Sequence, residues 1–110
     1  MLASESLVVA IVDYGLCNLF SVKHACEHMG FRTAITSSPS EIRAADGVIL
    51  PGVGAFENAM RFLRDNGLVD VIRDIVEEGK PLVGICLGMQ LLMTESNEFG
   101  VHRGLDIVAG

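Results

Sequence analysis

One cysteine of the sequence stands in a setting typical of an enzymatic nucleophile. The segment reads Gly84-Ile85-Cys86-Leu87-Gly88, with a glycine two positions to either side of the cysteine. It follows an apolar run and precedes a helical pattern, so it is the cysteine version of the strand–nucleophile–helix elbow. The flanking glycines matter because larger side chains would collide in so sharp a turn. A free cysteine is more often a buried packing residue, but this setting favours a nucleophilic thiol.

The same turn predicts how the sulfur would be activated. Unpaired N–H groups and the helix dipole behind Cys86 favour the thiolate over the thiol. The backbone N–H of Leu87 is expected to point where the oxyanion of an attacked carbonyl would form. Gln90 lies one helical turn further on and could hold a polar substrate, although an exposed helical glutamine is the ordinary interpretation.

A second glycine-containing loop could complete such a site. It reads Pro51-Gly52-Val53-Gly54 and ends another strand pattern. Loops of this kind can present backbone N–H groups to an anion, although the motif is more often a simple turn. The N–H of Val53 could form an oxyanion hole together with that of Leu87. No G-x-G-x-x-G pattern follows the first strand, which argues against a dinucleotide site.

The elements that must position these loops alternate between strand and helix patterns. Strand patterns cover residues 7–12, 31–35, 47–50 and 82–85, and helical patterns cover 19–29, 39–45, 56–63, 68–76 and 87–95. This alternation predicts an α/β fold of three layers, a flavodoxin-like, mostly parallel sheet flanked by helices. Ligands of such sheets bind at the carboxyl ends of the strands. The loops at residues 13–18, 51–54 and 86–88 are therefore the informative ones.

Length and composition narrow the classes of function. The 110 residues suit a single domain, and the net charge of −6 without a basic cluster argues against nucleic-acid binding. No apolar run approaches the roughly 18–20 residues that cross a bilayer. Residues 1–6 form a leader without the basic residues of a secretion signal, so we expect a cytoplasmic protein that does not bind membranes. The three cysteines have no metal-like spacing and predict neither a disulfide framework nor a metal site.

With these motifs assembled, the chain resembles the class I glutamine amidotransferases, and most of all the glutaminase subunits of imidazole glycerol phosphate synthases. The resemblance identifies residues 7–110 as the N-terminal part of a single, apparently truncated amidotransferase domain. Three motifs carry it, and they span residues 13–22, 50–56 and 84–92. The elbow motif is typical of the whole class. The first two motifs distinguish the glutaminase subunits of imidazole glycerol phosphate synthases from its other members.

The resemblance implies a reaction and a partner. Cys86 would attack the side-chain amide of L-glutamine, release ammonia and form a thioester that water hydrolyses. Ammonia would then pass to a (β/α)₈-barrel cyclase subunit that makes imidazole glycerol phosphate in histidine biosynthesis. The pair would be a heterodimer, and no cofactor is implied.

The resemblance also assigns roles around the nucleophile: oxyanion binding at Val53 and Leu87 with room given by Gly52 and Gly54, glutamine contacts at Gln90 and Glu98, and a partner interface at Asn18. Cys17 departs from the family, which usually has glycine there. Relatives are about twice as long, and their catalytic His and Glu lie in the half that this chain lacks. His24, His28 and His102 are poor substitutes for that base. We therefore expect the chain alone to hydrolyse glutamine very poorly, and to leave a sheet edge and some apolar surface uncovered, which favours self-association or marginal stability.

Three other interpretations remain open. A paralogous glutaminase that feeds a different synthase, such as a sugar-amidating enzyme, would share every motif. A non-catalytic interaction or redox domain on a flavodoxin-like scaffold would use Cys86 as a sensor thiol. The chain could also be an inactive fragment of a longer protein.

Overall fold

The computed structural model describes residues 7–14, 19–52, 54–97 and 100–110. In chain order the elements are β1 (Val8–Val12), α1 (Phe20–His28), β2 (Arg32–Thr36), α2 (Pro39–Ala44), β3 (Gly47–Leu50), α3 (Phe56–Asp65), α4 (Leu68–Glu77), β4 (Leu82–Gly84), α5 (Leu87–Leu91), β5 (Glu95–Ser96) and β6 (His102–Arg103). The leader at residues 1–6 and Cys17 lie outside the described residues. None of the helices in the described ranges combines the length and the apolar character needed to span a membrane.

Strands β1 to β4 form one parallel sheet in the order β2-β1-β3-β4. Ile11 lies opposite Ile35 on one side and Ile49 on the other, and Ile49 lies opposite Val83. The predicted α/β fold with a parallel sheet between helices is confirmed. Because β1, β3 and β4 are neighbours, the loops that follow them emerge at the same edge of the sheet.

One face of this sheet carries the main core. Alternate strand residues point to it and pack against α2, α3, α4 and α5. Both helical faces predicted between residues 56 and 76 are buried there, and the break between them falls at Gly67, whose φ is +68°. The fully buried side chains of this core include Leu50, Phe56, Leu63, Ile72 and Leu91.

The opposite face has a thinner cover. Helix α1 packs against β2, and all nine of its residues keep some exposure to solvent. Towards β4 the face opens to solvent, where Val83 is 51% exposed and Ile85 is 39% exposed. Apolar surface is therefore uncovered, as expected, whereas self-association stays a prediction.

Local signals in the sequence set the start of α2 and the end of α1. Ser38 caps α2, its Oγ accepting the Glu41 N–H at 3.5 Å, and Pro39 is the first helical residue. The Ser38-Pro39-Ser40-Glu41 segment has the pattern of a capping box, in which the glutamate would accept a hydrogen bond from the Ser38 N–H. In the structure the Glu41 carboxylate instead accepts from Thr36 Oγ1 at 2.8 Å. Gly30 ends the turn after α1 with a φ of +93°, a conformation that glycine adopts readily at the end of a helix.

Two predicted boundaries are wrong. Strand β4 ends at Gly84, and the helix expected to reach residue 95 ends at Leu91. The C-terminal segment takes over the carbonyls that a longer helix would use: the Leu105 N–H donates to Leu91 O and the Ile107 N–H donates to Leu92 O, both at 2.8 Å. Residues 95–96 instead pair antiparallel with residues 102–103, in a hairpin that the sequence analysis missed.

Candidate active site

Cys86 occupies a strained elbow between β4 and α5. It is exposed, and its backbone lies at φ +53° and ψ −114°, a region that L-residues rarely adopt. Such a conformation costs on the order of 1–3 kcal/mol and persists only where the surroundings enforce it. The Ile85 N–H donates to Leu50 O at 2.9 Å, and the Gly88 N–H donates back to Ile85 O at 2.9 Å. These two hydrogen bonds hold the turn on either side of the cysteine.

The glycines flanking Cys86 are sterically required. A Cβ atom on Gly84 would lie 2.7 Å from the Met89 Cα atom. A Cβ atom on Gly88 would lie far inside the contact distance of the Leu50 carbonyl oxygen. The expectation that larger side chains would collide in the elbow is therefore confirmed, and the collision partners are the backbone of α5 and of β3.

The glycines of the neighbouring loop serve a different purpose. Gly52 has a φ of +137° and Gly54 a φ of +123°. A Cβ atom on Gly52 would make ordinary van der Waals contact with Leu87, and one on Gly54 would meet nothing within 4 Å. Glycine is favoured at both positions because of backbone conformation rather than lack of space.

A hydrogen bond joins the loop to the elbow at the expected oxyanion position. The Leu87 N–H donates to the Gly52 carbonyl oxygen at 3.0 Å. The structure therefore brings the two predicted loops together, but the donor expected for an oxyanion is engaged by the protein itself. Val53, the second predicted donor, lies outside the described residues.

The predicted substrate-binding residues are only partly described. Gln90 lies on α5 with an exposed side chain, and its N–H donates to Cys86 O at 3.2 Å, one turn from the nucleophile as predicted. Glu98 falls between β5 and β6, outside the described residues, as does Asn18 before α1.

The histidines lie on other elements. His24 and His28 are exposed on α1. On β6, the His102 Nε2 atom lies 3.6 Å from Glu57 Oε2, and the other Glu57 oxygen lies 3.0 Å from Arg61. The sequence analysis missed Glu57, because no local pattern signals a pairing across 45 residues of chain.

Cys26 lies in a different setting from Cys86. It is half-buried on α1 rather than exposed in a turn. Burial raises the pKa of the Cys26 thiol above its ordinary value, and the neighbouring Glu27 carboxylate raises it further. It therefore has a smaller thiolate fraction than an ordinary cysteine, which favours a role in packing rather than in chemistry. Among the described residues, no cluster of three or more His, Cys, Asp or Glu could hold a metal ion.

Comparison with protein families identifies the class. The family model described as glutamine amidotransferase class-I matches residues 10–104. The chain therefore belongs to the class-I glutamine amidotransferase family.

Curated relatives show which members of this family the chain is similar to. The chain is 53% identical over 102 residues to the imidazole glycerol phosphate synthase subunit HisH of Moorella thermoacetica, a match that covers 93% of this chain and 49% of the relative. It is 46% identical over 102 residues to the protein of the same name from Geobacter sulfurreducens, with the same two coverages. The chain thus spans about half the length of the curated relatives it matches.

Solved structures support the fold. A putative peptidase E protein from Listeria monocytogenes matches with a TM-score of 0.80 at 14% identity, covering 96% of this chain and 64% of that one. A crystal structure titled as a glutamine amidotransferase matches with a TM-score of 0.73 at 24% identity, covering 87% and 51%. At these identities the likeness concerns architecture alone.

Proposed function

We propose that this chain forms the N-terminal half of a glutaminase whose nucleophile is Cys86. Its sulfur would bond to the amide carbon of L-glutamine, the C–N bond would break, and the nitrogen would leave as ammonia after gaining a proton. Water would then attack the thioester, giving glutamate and restoring the thiol. The observation that carries this proposal is an exposed cysteine held at positive φ on a glycine-flanked elbow, in a chain of the amidotransferase family.

Oxyanion stabilisation would require a local rearrangement. Leu87 and Val53 are the proposed backbone donors, with Gly52 and Gly54 as the glycines that let the loop adopt the required backbone. Because the Leu87 N–H donates to Gly52 O at 3.0 Å, that carbonyl must turn away before the N–H can bind an oxyanion. An oxyanion would therefore compete with the Gly52 carbonyl oxygen for the Leu87 N–H.

The substrate contacts and the base complete the proposal. Gln90 and Glu98 would contact glutamine, the former from the turn of helix that follows the nucleophile. The catalytic His and Glu that the family uses would come from the half of the relatives that this chain does not span. A cysteine without its paired base is a weak nucleophile, so we expect the 110-residue chain to turn over glutamine far below the order of 1 s⁻¹.

The name of the relatives supports a synthase partner. We propose that ammonia passes to a (β/α)₈-barrel cyclase subunit in the cytoplasm, with Asn18 at the interface, for imidazole glycerol phosphate synthesis. Pull-down of purified barrel cyclase by the protein, in preference to a sugar-amidating synthase domain, would support this assignment. The reverse preference would favour a paralogous glutaminase.

The nucleophile is tested by covalent labelling. The chain would be incubated with a glutamine-mimicking diazoketone and analysed by intact mass spectrometry and peptide mapping. We expect one adduct at Cys86, slowed by excess L-glutamine, absent in Cys86→Ser and retained in the matched control Cys26→Ser. If iodoacetamide modifies Cys86 while the glutamine mimic never does, even when the remaining half of the relatives is joined after Gly110, the glutaminase proposal fails and a sensor thiol is favoured.

The expected inactivity of the chain alone is tested by a steady-state ammonia assay. Ammonia release should stay at the background level of the Cys86→Ser variant. Turnover on the order of 1 s⁻¹ or more would show that these 110 residues already contain a working base.

A further inference from the structure

The helix that follows Cys86 is held at its far end by a distant segment of the chain. Helix α5 has five residues, and so short a helix is unstable without tertiary contacts. Carbonyl groups at the end of a helix lack partners within it, and residues 104–108 supply the missing donors here. We call residues 104–110 the capping segment. Its N–H groups donate to the carbonyl oxygens of residues 91–94 over 2.8–3.0 Å, from Gly104, Leu105, Asp106, Ile107 and Val108.

Thr94 bonds the capping segment at two further points. Its Oγ1 atom donates to Asp106 Oδ1 at 2.7 Å and accepts from the Gly110 N–H at 3.2 Å. Its own N–H donates to Gly110 O at 2.9 Å. The hydroxyl therefore ties the middle and the end of the capping segment to the turn that follows α5. A hydroxyl can donate and accept at once, so serine would make the same two hydrogen bonds, whereas valine, although of similar shape, would make neither.

Asp106 has a strained conformation that these hydrogen bonds hold. Its φ is +54°, and among the described residues Cys86 is the one other non-glycine residue with a positive φ. Aspartate tolerates this region better than most residues do, but the conformation persists only where its surroundings enforce it. Here Thr94 bonds the side chain, and the Asp106 N–H donates to Met93 O at 3.0 Å. The two strained residues thus lie beside opposite ends of α5.

The hydrogen bonds continue from the capping segment to the nucleophile. The Met93 N–H donates to Gln90 O at 3.1 Å, and the Gln90 N–H donates to Cys86 O at 3.2 Å. We infer that Thr94 is a positioning residue for glutamine binding: its hydroxyl fixes the capping segment, which in turn fixes the orientation of Gln90 relative to Cys86. In this role Thr94 acts through Gln90 rather than on the substrate itself. The inference rests on the proposed function, because it extends the role proposed there for Gln90.

The test compares Thr94→Val, which keeps the shape of the side chain, with Thr94→Ser, which keeps the hydroxyl. Each substitution is made in the 110-residue chain and in a fusion that joins the remaining half of the Moorella thermoacetica relative after Gly110. The rate of Cys86 labelling is measured against the concentration of the glutamine-mimicking diazoketone, which gives an apparent KI and a maximal rate. Thr94→Val should raise KI about fivefold, the effect of one lost hydrogen bond, and leave the maximal rate within about twofold. Thr94→Ser should keep the KI of the unsubstituted protein.

Two controls separate positioning from stability. Ile42→Val removes one methyl group from a fully buried side chain on α2, which costs about as much stability as one hydrogen bond. It should lower the Tm as Thr94→Val does, yet leave KI unchanged. Iodoacetamide does not resemble glutamine, so it should modify Cys86 at the same rate in the unsubstituted protein and in Thr94→Val.

The outcomes distinguish this inference from the proposed function. An unchanged KI in Thr94→Val, an equal rise in Ile42→Val, or a raised KI in Thr94→Ser would overturn the inference, while labelling of the unsubstituted protein would still support the glutaminase proposal. If Thr94→Val is insoluble, Asp106→Gly decides, because it removes the same side-chain hydrogen bond and relieves the positive φ. It should raise KI by a similar factor, and an unchanged KI would overturn the inference. If the mimic labels neither the unsubstituted chain nor the unsubstituted fusion, the proposed function fails and the inference fails with it.

Discussion

The two faces of the sheet are built from the same strands but differ in burial. On β3, Val48 points to the helix-covered face and is 2% exposed. Its neighbour Ile49 points to the opposite face, which we call the open face because α1 covers only part of it, and is half-buried. Both residues are apolar and β-branched, so strand sequence alone does not distinguish them. The difference arises because, among the described helices, α2, α3, α4 and α5 pack on one side and only α1 packs on the other. Burial of a strand face is thus decided by the layer that the rest of the chain supplies.

The largest expected effect on stability comes from a substitution at Gly88, where the elbow packs against β3. Gly88→Ala would force a methyl group into the Leu50 carbonyl of β3, which neither backbone can avoid. We expect a loss of more than about 4 kcal/mol of folding free energy, enough to prevent folding of so small a domain. Soluble yield and urea unfolding provide the measurement. Gly47→Ala is the matched control, because its Cβ would meet nothing closer than 3.6 Å; equal losses in both variants would contradict the steric explanation.

The covered face is probed by Val48→Ala. Removing two buried methyl groups from a nearly inaccessible side chain should cost about 2 kcal/mol, from lost transfer free energy and the cavity left behind. Urea denaturation with an unchanged m-value would measure it. A loss below about 0.5 kcal/mol would mean that this face is packed no better than the open one.

The thiols report on access to the open face. Cys26 lines an apolar groove on this face of the sheet, together with Val9 and Val83. Because its pKa is raised above the ordinary value of 9.0, less of the Cys26 thiol is ionised at pH 9.0 and below than in an ordinary cysteine. We expect iodoacetamide at pH 8 to modify Cys86 at least tenfold faster than Cys26, with the Cys26 rate still rising above pH 9.0. Peptide mapping over time provides both rates. Complete protection of Cys26 at high pH would indicate that self-association covers the groove.

The smallest expected effect on stability comes from a substitution on the open face, at Val83. Val83→Ala also removes two methyl groups, but from a side chain that is already 51% exposed to solvent. We expect a loss below about 1 kcal/mol, since only the buried fraction of the side chain contributes. The same urea experiment measures it. A loss equal to that of Val48→Ala would mean that the open face is covered in solution.

Much of the fold was predictable because its signals are local. Apolar runs gave β1 and β3 at their observed places, and the apolar spacing of Phe56, Leu63 and Ile72 gave the buried sides of α3 and α4. The end of α5 was not predictable, since the carbonyl of Leu91 bonds to Leu105 rather than within a longer helix. Nothing near Leu91 in the sequence indicates that competition.

The candidate site, like the fold, has some features that the local sequence predicts and others that depend on tertiary packing. The glycine spacing about Cys86 determined that a thiol would stand in a strained, exposed elbow, because steric limits on a turn act between adjacent residues. Only the tertiary structure decided that the Leu87 N–H would bond to Gly52 O and that His102 would lie beside Glu57. It also decided that one face of the sheet would be buried and the other left open. These outcomes depend on which distant segments compete for the same donor, charge or apolar surface, and such competition is settled by packing in three dimensions.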